Sequence, residues 1–264
     1  MCVYLCGIAL TIIQHFAYKL QQEVYKMQKI LGYVRKACEK YNMIADGDSI
    51  AVGVSGGKDS LVLLRALAEY NRFAAQRFTV TAITVDMRYG GADSDFSAVS
   101  EYCAGLGVPY IILPTDIGQI VFDVRKEPNP CSLCAKMRRG ALIDEAQKAG
   151  CNKIALGHHN GDVVETFLMC LFNEGRVGCF SPVTEYPDRG QSIIRPLILA
   201  PEKDIMSCCR RNGIVPVKSL CPADKHTARE EMKSWIADRE RTDRGFSKRI
   251  FGALERSGIN GWHE

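Results

Sequence analysis

A chain of 264 residues, 47% hydrophobic and 24% charged, has a globular composition and the length for one large core, alone or with a small appendage. Its net charge of +4 permits a polyanionic partner without demanding one. Twelve cysteines form no recognisable disulfide framework and no secretory signal is evident, which excludes a disulfide-stapled secreted protein and points to the reducing cytoplasm, where closely spaced cysteines mean metal or redox chemistry.

Residues 1–18, MCVYLCGIALTIIQHFAY, are apolar but lack a basic leader and a small-residue cleavage site, and fall short of the about 20 residues a membrane helix needs. Residues 1–26 are therefore expected to be an extension outside the fold, with Met27 a candidate start and no stable membrane association. From Met27 to Met43 the apolar residues Ile30, Leu31, Val34 and Cys38 recur at helical spacing. DGDSIAVGV then reads as a turn entering a buried strand, and SLVLLRALAEY as a helix. FTVTAITVDM is a second strand. SDFSAVSEYCAGLG is a helix with Ser94 as its expected cap and glycine as its stop. VPYIIL is a third strand, SLCAKMRRGALIDEAQKAG a helix, NKIALGHH a fourth strand, GDVVETFLMCLFNEG a helix and SIIRPLI a fifth strand.

Strands alternating with helices predict an α/β fold: a parallel five-stranded, Rossmann-like sheet sandwiched by helices. Such sheets bind ligands at the carboxyl ends of their strands. Ser55-Gly56-Gly57 ends the first strand and Gly157-His158-His159 the fourth, so both point at one rim. Residues 27–200 are expected to form this domain and residues 201–264 a small helical C-terminal extension. Between Lys225 and Arg256 nine Lys and Arg face six Asp and Glu, a pattern that fits a solvated helical face or a polyanion contact.

The stretch VGVSGGKDS is neither a Walker loop nor G-x-G-x-x-G, because Asp59 follows Lys58 and Val52 stands where the first glycine belongs. It still favours an anion. Gly56 and Gly57 let the backbone approach a ligand, and successive N–H groups with the following helix N-terminus direct positive charge at it. Ser55 and Ser60 offer hydroxyls and Lys58 a full charge. Asp59 suits a magnesium ion or a helix cap.

PCSLCAKMRRG places Cys131 and Cys134 in a C-x-x-C, a spacing shared by zinc, redox and iron–sulfur sites. The pair needs further ligands from elsewhere. Cys221, in the proline-flanked SLCPADKHTAR, is the best remote candidate; Cys208 and Cys209 compete but read more simply as packing. Arg138 shares a helical face with Cys134. With Arg139 it is suited to stabilising thiolates, to contacting a phosphate, or to plain surface charge.

These segments resemble the N-type ATP pyrophosphatases, and within them the tRNA 2-thiocytidine synthetases of the TtcA type. The resemblance rests on SGGKDS, CSLCAKMRRG, KIALGHHNGDVVET, IIRPLI with EKDI, and SLCPADKHTAR, in that order over most of residues 27–240. It implies an adenine nucleotide alpha hydrolase-like fold. ATP and Mg2+ would be held by Ser55, Gly56, Gly57, Lys58, Asp59, Ser60, Gly157 and His158, with Lys58, Asp59 and Asp162 catalytic. It further implies a [4Fe-4S] cluster on Cys131, Cys134 and Cys221, whose open iron carries sulfide. The implied substrate is cytidine 32 of tRNA, its C2 oxygen adenylated before sulfur replaces it. A cysteine desulfurase or free sulfide would donate the sulfur, and a homodimer is expected.

One departure stands out: related enzymes carry two consecutive acidic residues where this chain has Gly161-Asp162. That keeps alternatives open, namely a thiolase for uridine or a small molecule, or a catalytically weakened iron–sulfur protein that binds RNA or senses redox state. His158, His159 and Arg195 are rim residues for which structural roles remain equally open.

Overall fold

The computed structural model describes residues 27–126, 130–218, 220–223 and 227–263. The expected extension over residues 1–26 lies outside these. Residues 27–40 form helix α1. Strand β1 (Ser49–Gly53) leads into α2 (Lys58–Tyr70), and β2 (Thr79–Asp86) into α3 (Ser97–Leu106). After β3 (Tyr110–Pro114) a short α4 (Ile117–Gln119) runs into a π-helical turn, Ile120–Arg125. Then come α5 (Pro130–Lys148), β4 (Lys153–Ala155), α6 (Asn160–Asn173), β5 (Val183–Tyr186) and β6 (Gln191–Ile194). Helices α7 (Glu202–Arg211), α8 (Ala228–Thr242) and α9 (Phe246–Glu255) follow.

The strand order is β3-β2-β1-β4-β6-β5. Five strands run parallel, and β5 pairs antiparallel with β6 from Val183↔Ile194 to Tyr186↔Gln191. The sheet thus has six strands rather than five. The extra one, VTEY, is a short edge strand joined to β6 by a tight turn, Pro187–Arg189, closed by Gly190 at φ 61°.

Strand periodicity assigns each side chain to a face. Ile50 and Val52 of β1, Ala82 of β2, Ala155 of β4 and Ile194 of β6 enter one core, together with Leu63 and Leu64 of α2. Their neighbours Ala51, Ile83, Ile154 and Ile193 enter the other, under Leu142 and Ile143 of α5. Each fully buried aliphatic side chain contributes about 1.5–3 kcal/mol relative to exposure, so the two layers fix the register of the strands that carry the rim.

Cys208 and Cys209 sit in the first core as packing residues, as do Ile205, Leu254 and Trp262. Trp262 is 1% exposed, stands edge-on to Tyr41 and Phe251, and donates its indole N–H to the Phe180 carbonyl at 3.1 Å. No helix among the described residues is long and apolar enough to cross a membrane.

Candidate nucleotide and thiol site

Gly56 adopts φ +78°, and Gly57, in extended conformation, caps α2. No side chain caps this helix, so Asp59 does not serve as its cap. The serines brace the loop from inside. Ser60 Oγ donates to the Gly57 carbonyl at 2.9 Å and accepts from the Ser55 N–H at 3.2 Å, while Ser55 Oγ accepts from the Gly57 N–H at 3.3 Å. Ser60 is buried and its hydroxyl proton is used within the loop.

Lys58 Nζ lies 3.0 Å from Asp59 Oδ2 and 3.0 Å from Glu202 Oε1. Burial disfavours its charge, but Asp59 and Glu202 outweigh that and raise its pKa above the ordinary value. Glu202 also meets Lys233 Nζ at 2.8 Å. Burial pushes the Glu202 carboxyl up, yet the two ammonium groups prevail and hold it at about 2.

Gly157 ends β4 against the first turn of α2. A Cβ there would stand 3.0 Å from the Asp59 carbonyl carbon and 3.1 Å from the Ser60 nitrogen. This close approach sets the two histidines beside the loop. His159 is 3% exposed and caps α6: its Nδ1 accepts from the Gly161 and Asp162 N–H groups at 3.1 and 3.4 Å. Asp162 completes the box by accepting from the His159 N–H at 2.8 Å. Asp162 Oδ1 also lies 3.5 Å from Arg229, which reaches Glu165 at 3.2 Å and Thr166 at 3.0 Å. Asp162 is thus occupied structurally. Asp59 Oδ1, by contrast, is buried without a hydrogen-bond partner among the described residues, 4.0 Å from His159 Nε2. Such an orphaned carboxylate oxygen fits a hard cation such as Mg2+.

Gly161 has a local reason. A Cβ there would meet His159 Cε1 at 2.9 Å and Nδ1 at 3.1 Å. The missing side chain lets the imidazole fold back over the helix terminus.

His158 lies 4.8 Å, centroid to centroid, from Phe180 and accepts from Arg195 Nε at 3.3 Å. Loss of solvent, then the Arg195 charge, push its pKa down to about 3. Arg195 is buried, stacks over Phe180 at 5.0 Å and donates to the Ser181 carbonyl at 2.6 Å and Thr184 Oγ1 at 3.1 Å. Its partners are neutral groups, not the carboxylate of a salt bridge.

A cavity of about 620 Å3 opens at this rim. Ser55 and Gly57 of the loop line it, as do Cys134 and Cys221. Arg138, Arg139, His158 and Arg195 also reach it. Lys58, Asp59 and Asp162 are not among its lining side chains; they flank the loop towards α7 and α8.

The C-x-x-C occupies the first turn of α5. Burial pushes the Cys131 thiol up, and Cys221 adds to it. Burial also raises Cys134, where Arg138 and Tyr89 act against the added influence of Cys221 and Cys131. Cys131 and Cys134 therefore both stand within the influence of Cys221. Tyr89, in the turn after β2, stands beside Cys221 and Cys134. Three soft thiol donors beside a cation and a hydroxyl fit an iron–sulfur cluster in ligand chemistry. They adjoin without closing: among the described residues no three Cys, His, Asp or Glu side chains stand at metal-holding spacing.

Two features escaped the sequence. Tyr89 is signalled only by its place after a strand's carboxyl end. Ser94, expected as the cap of α3, instead binds buried Asp86 at that end of β2, through Oγ at 2.7 Å and its N–H at 3.0 Å; Asp95 accepts from the Ser97 N–H at 2.8 Å in its stead.

A parallel sheet whose first strand ends in a braced glycine loop, with Cys134 and Cys221 lining the same cavity, defines a PP-loop nucleotide-binding protein. The ATP_bind_3 PP-loop domain family matches residues 19–239, and the chain belongs to this family. The tRNA-cytidine(32) 2-sulfurtransferase of Citrifermentans bemidjiense is 36% identical over 230 residues, 86% of this chain and 89% of that one. The enzyme of the same name from Pseudomonas syringae pv. tomato is 35% identical over 234 residues, 87% and 84% of the two chains. Among solved structures, the U34-tRNA thiolase NcsA from Methanococcus maripaludis with its [4Fe-4S] cluster superposes with a TM-score of 0.74 at 26% identity, over 89% of this chain and 79% of that one.

Proposed function

We propose that the chain is an ATP-dependent tRNA sulfurtransferase that converts cytidine 32 to 2-thiocytidine in the cytoplasm. The observation that carries this reading is a single cavity bordered by the phosphate loop and by Cys134 and Cys221. The names and extents of the relatives support the substrate.

The loop N–H groups, Ser55 and Lys58 would hold the β and γ phosphates of ATP, and the orphaned Asp59 oxygen would hold Mg2+. The C2 oxygen of the base attacks the α phosphate, the P–O bond to the β phosphate breaks, and pyrophosphate leaves. Hydrosulfide then forms the new C–S bond and AMP departs with the original oxygen, without net oxidation or reduction. Cys131, Cys134 and Cys221 would hold a [4Fe-4S] cluster, which when bound would supply a Lewis-acidic, sulfur-carrying centre beside the adenylated base. Arg138 and Arg139 balance the thiolate charge and meet tRNA phosphate at the cavity mouth. The base must leave its stack to reach this depth.

The test is thiolation by the anaerobically reconstituted protein of tRNA lacking this modification, with ATP and sulfide, read by mass spectrometry of nucleosides. Formation of 2-thiocytidine with one pyrophosphate each is expected; an intact holoprotein that releases no pyrophosphate overturns the reading. The likeness to a U34-tRNA thiolase favours uridine as the second substrate class, and 2-thiouridine in the same digest would select it.

A further inference from the structure

The basic character of the C-terminal helices is only partly absorbed by the site described above. On α8, Arg229 and Lys233 are four residues apart and so share one face. Arg229 is fastened across Asp162, Glu165 and Thr166 of α6. This contact fixes the rotation of α8 and presents Lys233 to the phosphate loop.

There, Glu202 Oε1 accepts from Lys233 Nζ at 2.8 Å and from Lys58 Nζ at 3.0 Å. Two ammonium groups on one oxygen atom is an arrangement that only an anion between them can sustain. Glu202 belongs to α7, Lys233 to α8 and Lys58 to the first turn of α2, so three separate elements converge on this point. The side chains of Lys58 and Lys233 are 28% and 42% exposed, which leaves both reachable by a second anion.

We infer that Lys233 is a second polyphosphate-binding residue, brought to the phosphate loop by α8. Glu202 bridges the two lysines in the ligand-free chain. The β and γ phosphates, with several anionic oxygens, take over that bridging position and draw both ammonium groups to the leaving group. The inference rests on the phosphate-loop reading and adds to it a ligand from outside the loop.

The test is calorimetric titration of the full chain with MgATP, pyrophosphate and AMP, for the wild type, K233M, K233R and K58M. AMP lacks the two phosphates concerned. K233M is expected to bind MgATP and pyrophosphate about tenfold more weakly, the scale of one charge-assisted hydrogen bond, with AMP affinity unchanged. K233R is expected to restore binding to within about threefold, since it keeps the charge. If K58M weakens binding while K233M matches the wild type, or if K233R behaves as K233M, the inference fails and the phosphate-loop reading survives. If the wild type binds none of the three, both fail together.

Discussion

The backbone N–H of Val217 donates to the carbonyl of Gly56 at 2.9 Å. The phosphate loop is thereby bonded to the segment that carries Cys221 four residues later. A Cβ on Gly56 would also stand 3.1 Å from Val217 Cβ, at a φ of +78°. One peptide contact thus ties the glycine loop to the cysteine-bearing segment.

Gly56→Ala strikes both sides of that contact. The left-handed conformation costs a non-glycine residue about 1–2 kcal/mol, and the crowding adds to it. MgATP affinity is expected to fall at least tenfold with a lower melting temperature. Val217→Pro removes the N–H while leaving the loop intact, so its larger effect should be on thiolation rather than on MgATP affinity. Calorimetry and nucleoside mass spectrometry separate the two.

Cys131→Ala, Cys134→Ala and Cys221→Ala should each abolish iron loading and thiolation while leaving MgATP affinity within about threefold of wild type. None of the three thiols takes part in the hydrogen bonds that brace the loop, so losing one leaves the phosphate contacts in place. Iron analysis and an anaerobic visible spectrum read the first effect. Joint loss of ATP binding would show that the thiols hold the fold rather than a cofactor.

His158 predicts a pH dependence of stability. Its folded pKa of about 3 lies below the ordinary 6.5, so the unfolded chain binds more protons between these values. The stabilisation from keeping this ring neutral is complete above about pH 6.5 and drains away as pH falls towards 3, with a slope of at most about 1.4 kcal/mol per pH unit. His158→Asn should flatten the loss of stability between pH 6.5 and 5, measured by denaturant unfolding.

Gly161→Asp restores the acidic pair that related enzymes carry, yet is expected to harm this chain. Its Cβ meets the His159 ring at 2.9 Å, forcing the imidazole off the α6 terminus at a cost of about 1 kcal/mol, that of a lost N-cap. His159→Ser, with a smaller capping side chain, should restore stability in the Gly161→Asp background. Thermal unfolding of the two single variants and the double variant checks this.

Much of this was readable in advance for a physical reason. The parallel strands are buried on both faces, so their apolar runs, and the glycines that interrupt them, survive as pattern. β5 did not stand out because four residues at a sheet edge carry too little periodicity. Within the loop, the residue types of Ser55, Gly56, Gly57 and Lys58 announced an anion. That Ser60 would brace the loop from inside, or that Asp162 would be taken up by His159 and Arg229, depends on contacts across the fold. Lys233 was legible only as one charge in a basic helix, because its role follows from where α7 and α8 cross the loop.

Trp262 has a consequence for truncation. Its indole N–H holds the Phe180 carbonyl, and Phe180 is the ring on which His158 and Arg195 rest. The six strands and the glycine loop all lie ahead of it in the chain. A chain cut short before Trp262 would therefore keep the sheet and its loop while losing one anchor beneath the His158 side of the cavity.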